Sequence, residues 1–235
     1  MSTLISLRNV EVRYKKAGNI FSKSKYFRAL RDVSFDVKDG ESVGIVGRNG
    51  AGKSTLLRLM SGVIRPDGGR VLNHGATVAL LSLQVGFDGN LSGRDNAIIS
   101  GMLQGKSKRE VVSKLDAICE FSELGDFFNE PVRTYSSGMR TRLGFSISTI
   151  VSPDVLLVDE VLSVGDHSFR AKAEDAMKEK LASNQTVVLV SHSVQQIERV
   201  CDRAILIEDG INFADGSPSE IVKIYQERLP ALQHG

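Results

Sequence analysis

Few stretches limit a chain as severely as Gly47-Arg48-Asn49-Gly50-Ala51-Gly52-Lys53-Ser54. A glycine, four free positions and Gly-Lys-Ser follow the apolar run Val43 to Val46 and lead into the helical stretch Thr55 to Met60. That is the pattern of a phosphate-binding loop between a strand and a helix. Glycines let the backbone curl with its N–H groups facing an anion, and the following helix adds the positive end of its dipole. Lys53 is placed to reach the β- and γ-phosphates of a nucleoside triphosphate, and the Ser54 hydroxyl is a hard oxygen ligand suited to Mg²⁺. The alternative, a glycine-rich turn that binds nothing, is disfavoured by the strand in front and the helix behind.

At 235 residues the chain is large enough for one substantial domain, or for a domain with a subdomain, around a buried core. Its formal net charge of +2, on 25% charged residues, does not call for nucleic acid as a partner. Cys119 and Cys201 lie outside any metal-ligand or redox spacing and read as small core residues of a reducing compartment. No run of about 18 apolar residues is present to span a membrane as a helix, and Met1 to Val10 lacks a secretory apolar segment. A cytoplasmic protein is expected.

Ile5, Leu7, Val10 and Val12 give Leu4 to Tyr14 the alternation of a half-buried strand, and Leu30, Val33, Phe35 and Val37 give a second, ending at the Asp39-Gly40 turn. Between them, from Arg13 to Arg31, stand seven Lys or Arg residues and no acid, interleaved with Tyr14, Phe21, Tyr26 and Phe27. This segment is either a solvated loop or a basic, aromatic lip near the nucleotide or membrane headgroups. Gly62 suits a helix C-terminus, Pro66 to Gly69 a turn, and Arg70 to Leu72 and Thr77 to Leu81 two short strands. Ser92 to Gln104 and Ser107 to Phe121 are expected as helices, the second opened by a Ser107/Glu110 capping box, so that residues 85–150 form a helical insertion in an α/β domain.

Val155 to Val158 is the continuous apolar run of a strand buried on both faces. The helix Ser168 to Ala182 and the strand Thr186 to Val190 follow, and this alternation argues for a parallel sheet. Arg203 to Glu208 and Ile211 to Ala214 resemble a hairpin. A last helix, residues 218–229, opens at Ser217-Pro218.

Asp159, at the end of a buried strand, is where a second Mg²⁺ contact is needed, and the adjacent Glu160 is placed to orient or deprotonate an attacking water. His192 ends the next strand, on the edge where open α/β sheets bind ligands, and is expected to touch the γ-phosphate. Tyr135-Ser136-Ser137-Gly138-Met139 opens another helix with small residues, a second anion-binding N-terminus. Two such sites are superfluous in one closed pocket. They make sense if two copies face each other and each completes the other's nucleotide site.

The phosphate loop, Gln84, Tyr-Ser-Ser-Gly-Met, Val-Leu-Leu-Val-Asp-Glu, Ser163-Val164-Gly165-Asp166 and His192 stand in the order of the motifs of ATP-binding cassette (ABC) transporter ATPases, which the chain resembles over nearly its whole length. The implied fold is an α/β P-loop NTPase of the ABC type, with a RecA-like core, an antiparallel β subdomain and a helical subdomain insertion. The resemblance implies a head-to-tail homodimer around two ATP molecules with Mg²⁺. Ser54, Gln84 and Asp159 would serve the metal, with Gln84, Glu160 and His192 as catalytic groups. Nucleotide would be bound by Tyr14, Gly47, Asn49, Gly50, Ala51, Gly52, Lys53, Ser54 and Thr55, and from the other copy by Ser136, Ser137, Gly138 and Asp166.

Departures from the common pattern narrow the group: Ser137 and Met139 replace Gly and Gln of the usual Leu-Ser-Gly-Gly-Gln signature. That form is similar to the ATPases that export O-antigen, capsule and teichoic-acid polysaccharides on a lipid carrier, some of which carry a further C-terminal carbohydrate-binding domain. The expected partners are two copies of an integral membrane permease, at the cytoplasmic face of the bacterial inner membrane, with lipid-linked polysaccharide as cargo and no nucleic acid. A cassette acting on nucleic acid or the ribosome would bring long coiled-coil insertions or two cassettes, and a GTP switch an Asn-Lys-x-Asp pattern; the sequence has neither.

Overall fold

The computed structural model describes residues 1–15, 26–81, 86–159, 167–191 and 193–228. Two compact units divide the chain: Met1–Ala76 joins Asn184–Gly235 in the first, and Thr77–Ser183 forms the second.

The first unit opens with β1 (Thr3–Lys15) and β2 (Tyr26–Lys38), followed by β3 (Ser42–Val46), α1 (Lys53–Met60) and β4 (Gly68–Asn73). In β1, Ile5, Leu7, Val10 and Val12 are all buried, although two residues rather than one stand between Leu7 and Val10. A register slip between those two absorbs the extra residue, and Asn9, at φ +48°, turns outward to donate from Nδ2 to Asp32. β2 begins four residues before the expected Leu30, because Tyr14 pairs with Phe27 and Lys15 with Tyr26 across the hairpin. The described ends of the basic segment are therefore strand rather than loop, with Tyr14 and Phe27 directly opposite each other in the register. Residues 16–25 lie outside the described residues.

The second unit contains β5 (Val78–Leu81), α2 (Gly93–Leu103), α3 (Lys108–Val112), α4 (Leu115–Ser122), α5 (Ser137–Val151), β6 (Val155–Val158) and α6 (His167–Ala182). Two short 3₁₀ turns, Gly125–Asn129 and Val132–Thr134, lead into α5. The single helix expected over Ser107 to Phe121 is two. The Ser107/Glu110 capping box opens α3 as expected, but the chain breaks at Ser113 and Lys114. Lys114 Nζ donates to the Ile150 and Val151 carbonyls at 3.0 and 3.2 Å, which answers the otherwise unpaired acceptors at the end of α5. Ala97, Leu115, Ile118, Phe128, Leu143, Ile147 and Val151 pack as one core. β5 and β6 pair in parallel, Leu80 opposite Leu157.

The chain then returns to the first unit with β7 (Thr186–Val190), α7 (Val194–Val200), β8 (Arg203–Glu208), β9 (Ile211–Gly216) and α8 (Pro218–Arg228). Within this unit the strand order is β4-β1-β2-β9-β8-β3-β7. β1 is antiparallel to β2 and β4, while β3 is parallel to both β7 and β8. The unit thus combines an antiparallel part with a parallel core whose central strands β3 and β7 are buried at every residue. Among the described residues no helix is long and apolar enough to cross a membrane.

Candidate functional site

β3 delivers the phosphate loop at the C-terminal edge of the parallel strands. Ile45 lies opposite Val190 of β7 and Val46 opposite Leu206 of β8, so three strand ends converge there. The loop fits only with glycines at two places. A β-carbon on Gly47 would stand 2.3 Å from the Ile207 carbonyl oxygen. One on Gly52 would meet the Ala29 carbonyl oxygen at 2.5 Å, and Gly52 also adopts φ +106°. Gly52 caps α1 without a side chain, and the first turn of α1 holds no acid, so its N–H groups face outward as an anion site. Lys53 is buried, its Nζ donating to the Gly47 and Arg48 carbonyls at 2.7 and 2.9 Å, which folds the cation back across the loop. A cavity of about 140 Å³ flanks the loop, walled by Asn49, Gly50, Ala51, Ile207, Tyr225 and Arg228.

Two more predicted positions belong to the same unit. Tyr14 is the last residue but one of β1, exposed and opposite Phe27; two residues beyond Phe27, β2 approaches Gly52 through the Ala29 carbonyl. The aromatic pair therefore stands one step from the phosphate loop. Position 192 lies outside the described residues, but its flanks are fixed. Ser191 Oγ and Gln196 Oε1 are 2.9 Å apart, and Ser193 caps α7 by accepting from Gln196 N–H.

The second unit contains the remaining predicted positions. Ser136 is the N-cap of α5, its Oγ accepting from Met139 N–H at 3.2 Å while its own O–H remains a donor. Ser137 is exposed and Gly138 half-buried in a first turn that, like that of α1, holds no acid. Tyr135 anchors this turn. Its buried hydroxyl donates to the Phe127 carbonyl, and Gly93 leaves room for it, since a β-carbon there would lie 2.2 Å from the Tyr135 oxygen. Burial pushes the Tyr135 phenol up to about 12, so it stays a neutral donor. Asp159 follows the four buried residues of β6 and is partly exposed. Gln84, Glu160 and Asp166 lie outside the described residues.

A groove of about 500 Å³ beside the start of α5 escapes any reading of sequence periodicity. Gly86, Phe87, Gly89, Arg133, Ser137 and Arg140 line it. Val132 N–H donates to the Leu91 carbonyl and Arg133 N–H to the Gly89 carbonyl, both at 2.9 Å. The stretch after position 84 is thereby bonded to the turn that leads into Ser136. Arg133 sits in a 3₁₀ turn, where no apolar period marks it.

A phosphate loop on a parallel sheet edge, together with a second unoccluded helix start, defines a phosphate-loop nucleotide-binding protein of the α/β class. The sequence pattern of the ABC transporter family matches residues 30–163. The chain is 44% identical over 215 residues to the O-antigen export system ATP-binding protein RfbB of Klebsiella pneumoniae, covering 92% of this chain and 87% of the relative. It is also 44% identical over 205 residues to the teichoic acids export ATP-binding protein TagH of Listeria monocytogenes, covering 87% of this chain and 61% of that protein. Among solved structures, an ATP-binding subunit of an ABC transporter superposes with a TM-score of 0.74 at 22% identity, covering 96% of this chain and 95% of the other. An ATP-binding cassette solved as a dimer with ADP and Pi gives 0.70 at 23% identity, covering 92% and 99%. The chain belongs to the ABC transporter family and is an ATPase of that family.

Proposed function

We propose that the chain is the ATP-hydrolysing subunit of an exporter that moves lipid-linked polysaccharide, of the O-antigen or teichoic-acid kind, across the inner membrane. The names of the relatives support the cargo class, and the start of α5 carries the mechanism. An acid-free helix N-terminus capped by a serine hydroxyl is a second phosphate site, and it completes the α1 site of another copy in a homodimer.

The residues present fit ATP and Mg²⁺. The acid-free N-terminus of α1 and Lys53 suit the β- and γ-phosphates, Thr55 lies in the first turn of that helix, and the rings of Tyr14 and Phe27 offer an exposed aromatic surface for a base. Ser54 and Asp159 would offer a hydroxyl and a carboxylate to the metal, and Gln84 an amide oxygen. Bound Mg²⁺ neutralises charge that develops on the phosphates. Glu160 orients the attacking water and draws its proton, His192 contacts the γ-phosphate, and Ser136, Ser137, Gly138 and Asp166 of the second copy close the pocket.

The 500 Å³ groove receives a cytoplasmic element of the membrane permease, present in two copies. The backbone bonds from Gly89 and Leu91 to Arg133 and Val132 carry its displacement to Ser136. The ATPase works at the cytoplasmic face of the membrane.

Glu160→Gln is the test. It keeps the size and loses the base, so ATP should still bind and the chain should elute as a stable dimer in ATP, with turnover reduced at least about 100-fold. Undiminished hydrolysis by the variant contradicts the role of Glu160.

A further inference from the structure

The second unit carries a surface that nucleotide chemistry does not use. α2 turns Gly93, Asn96, Ala97 and Gly101 inward, and Val111 of α3 seats so closely on Gly101 that a β-carbon there would lie 2.6 Å from it. The opposite side of α2 therefore faces out, with Ile99, Met102 and Leu103 exposed, Leu103 by 80%, and α3 adds Val112. Scattered exposed apolar residues need no explanation, but four on two successive short helices do.

Charge accompanies them. Lys106, Lys108 and Arg109 fall between Leu103 and Val112, and none of the three forms an ion pair among the described residues. Glu110, the only acid in that interval, is committed to the helix start: its carboxylate accepts from Ser107 N–H at 2.9 Å and from Ser107 Oγ. That pairing holds its carboxyl below the usual range. The corner thus presents apolar tips with a net positive rim.

Lys106 feels the nearby Glu110 and Asp154 carboxylates, yet three cations stand against one acid between Leu103 and Val112. Leucine and methionine beside such an excess of cations is the chemistry of a lipid interface, where the apolar tips enter the acyl boundary and the cations meet anionic headgroups. A protein partner fits less well, because lysine is depleted from protein interfaces and these side chains stand on helical turns rather than lining a groove. We propose that the α2–α3 corner, Ile99 to Val112, rests on an anionic lipid surface. This deepens the reading of the chain as a subunit working at the membrane and adds a lipid contact independent of the permease.

The experiment uses the purified full chain, without permease, and co-sedimentation with vesicles of phosphatidylglycerol and phosphatidylcholine or of phosphatidylcholine alone. The wild type should prefer the anionic vesicles and lose that preference as salt rises. Each cation near an anionic surface is worth about fivefold in binding, so K106Q/K108Q/R109Q should weaken it on the order of 100-fold. M102S/L103S should weaken binding at every salt concentration. Both variants should retain wild-type ATPase, which separates a failed lipid contact from a failed nucleotide site or a failed fold. Changing Lys15 and Arg28 of the β1–β2 hairpin to Gln should leave most of the binding intact. Equal binding by the triple variant and the wild type overturns the proposal, as does loss of binding in the hairpin variant alone. No recruitment by anionic vesicles in this permease-free assay also overturns it, by leaving the corner to a protein contact.

Discussion

Tyr135 illustrates what a single residue contributes and how little of it a sequence discloses. Its hydroxyl reaches back eight residues to the Phe127 carbonyl and fills the space left by Gly93, fixing the turn that leads into Ser136. Tyr135→Phe should keep the fold and cost about 1 kcal/mol, read as a lower midpoint in urea. The sign of its pH dependence follows from the phenol being pushed up to about 12. The native state holds the proton more tightly than the unfolded chain, whose tyrosine titrates near 10. The wild-type advantage over the variant is therefore complete below about pH 10 and disappears as pH rises through 12. An advantage that stayed constant over that interval would remove the buried hydrogen bond from the account. Glycines and lysine of the phosphate loop were legible from sequence because only those residue types satisfy a tight loop, a close approach and a phosphate at once. The partner of Tyr135 was not, since it is fixed by tertiary packing.

Elements show the same division. Strands with strong apolar runs were legible, and Thr186–Val190 begins and ends where its sequence pattern does. α7 was missed because it has only seven residues, too few to display a helical period. The run from Ser107 to Phe121 keeps a helical apolar face across its break, so only the bonds from Lys114 to α5 reveal two helices. The start of β5 depends on another long-range tie. The Asp154 carboxylate, next to β6, accepts from the Thr77 N–H at 2.7 Å and from its hydroxyl at 2.6 Å, and these bonds hold its carboxyl below the ordinary range. Its stabilisation is present above the unfolded aspartate range and is lost as pH falls through the lower folded value. Because the site is exposed, Asp154→Asn should cost only about 1 kcal/mol near neutrality. The difference from wild type should close in acid, which urea titrations at neutral and low pH would measure; a gap that widened in acid would contradict the assignment.

At the scale of the molecule, the ordered motifs made family and fold legible, because nucleotide chemistry prescribes residue type, order and position on strand ends. The groove beside Arg133 and Arg140 and the apolar, basic corner of α2 and α3 were not, because they are surfaces assembled from residues without a shared period. The central claim is that one chain holds half of each hydrolytic site. Two variants isolate the halves. Lys53→Ala disables the phosphate loop. Gly138→Asp puts an acid at the start of α5, where a β-carbon meets nothing nearer than Ser136 Oγ at 3.8 Å, so the helix should still form. Each variant alone should be nearly inactive. Mixed in equal amounts and allowed to exchange, they should recover about one quarter of the wild-type ATPase rate, since half the dimers are hybrids and each hybrid has one of its two pockets intact. A mixture no more active than the separate variants would contradict a site shared between two copies.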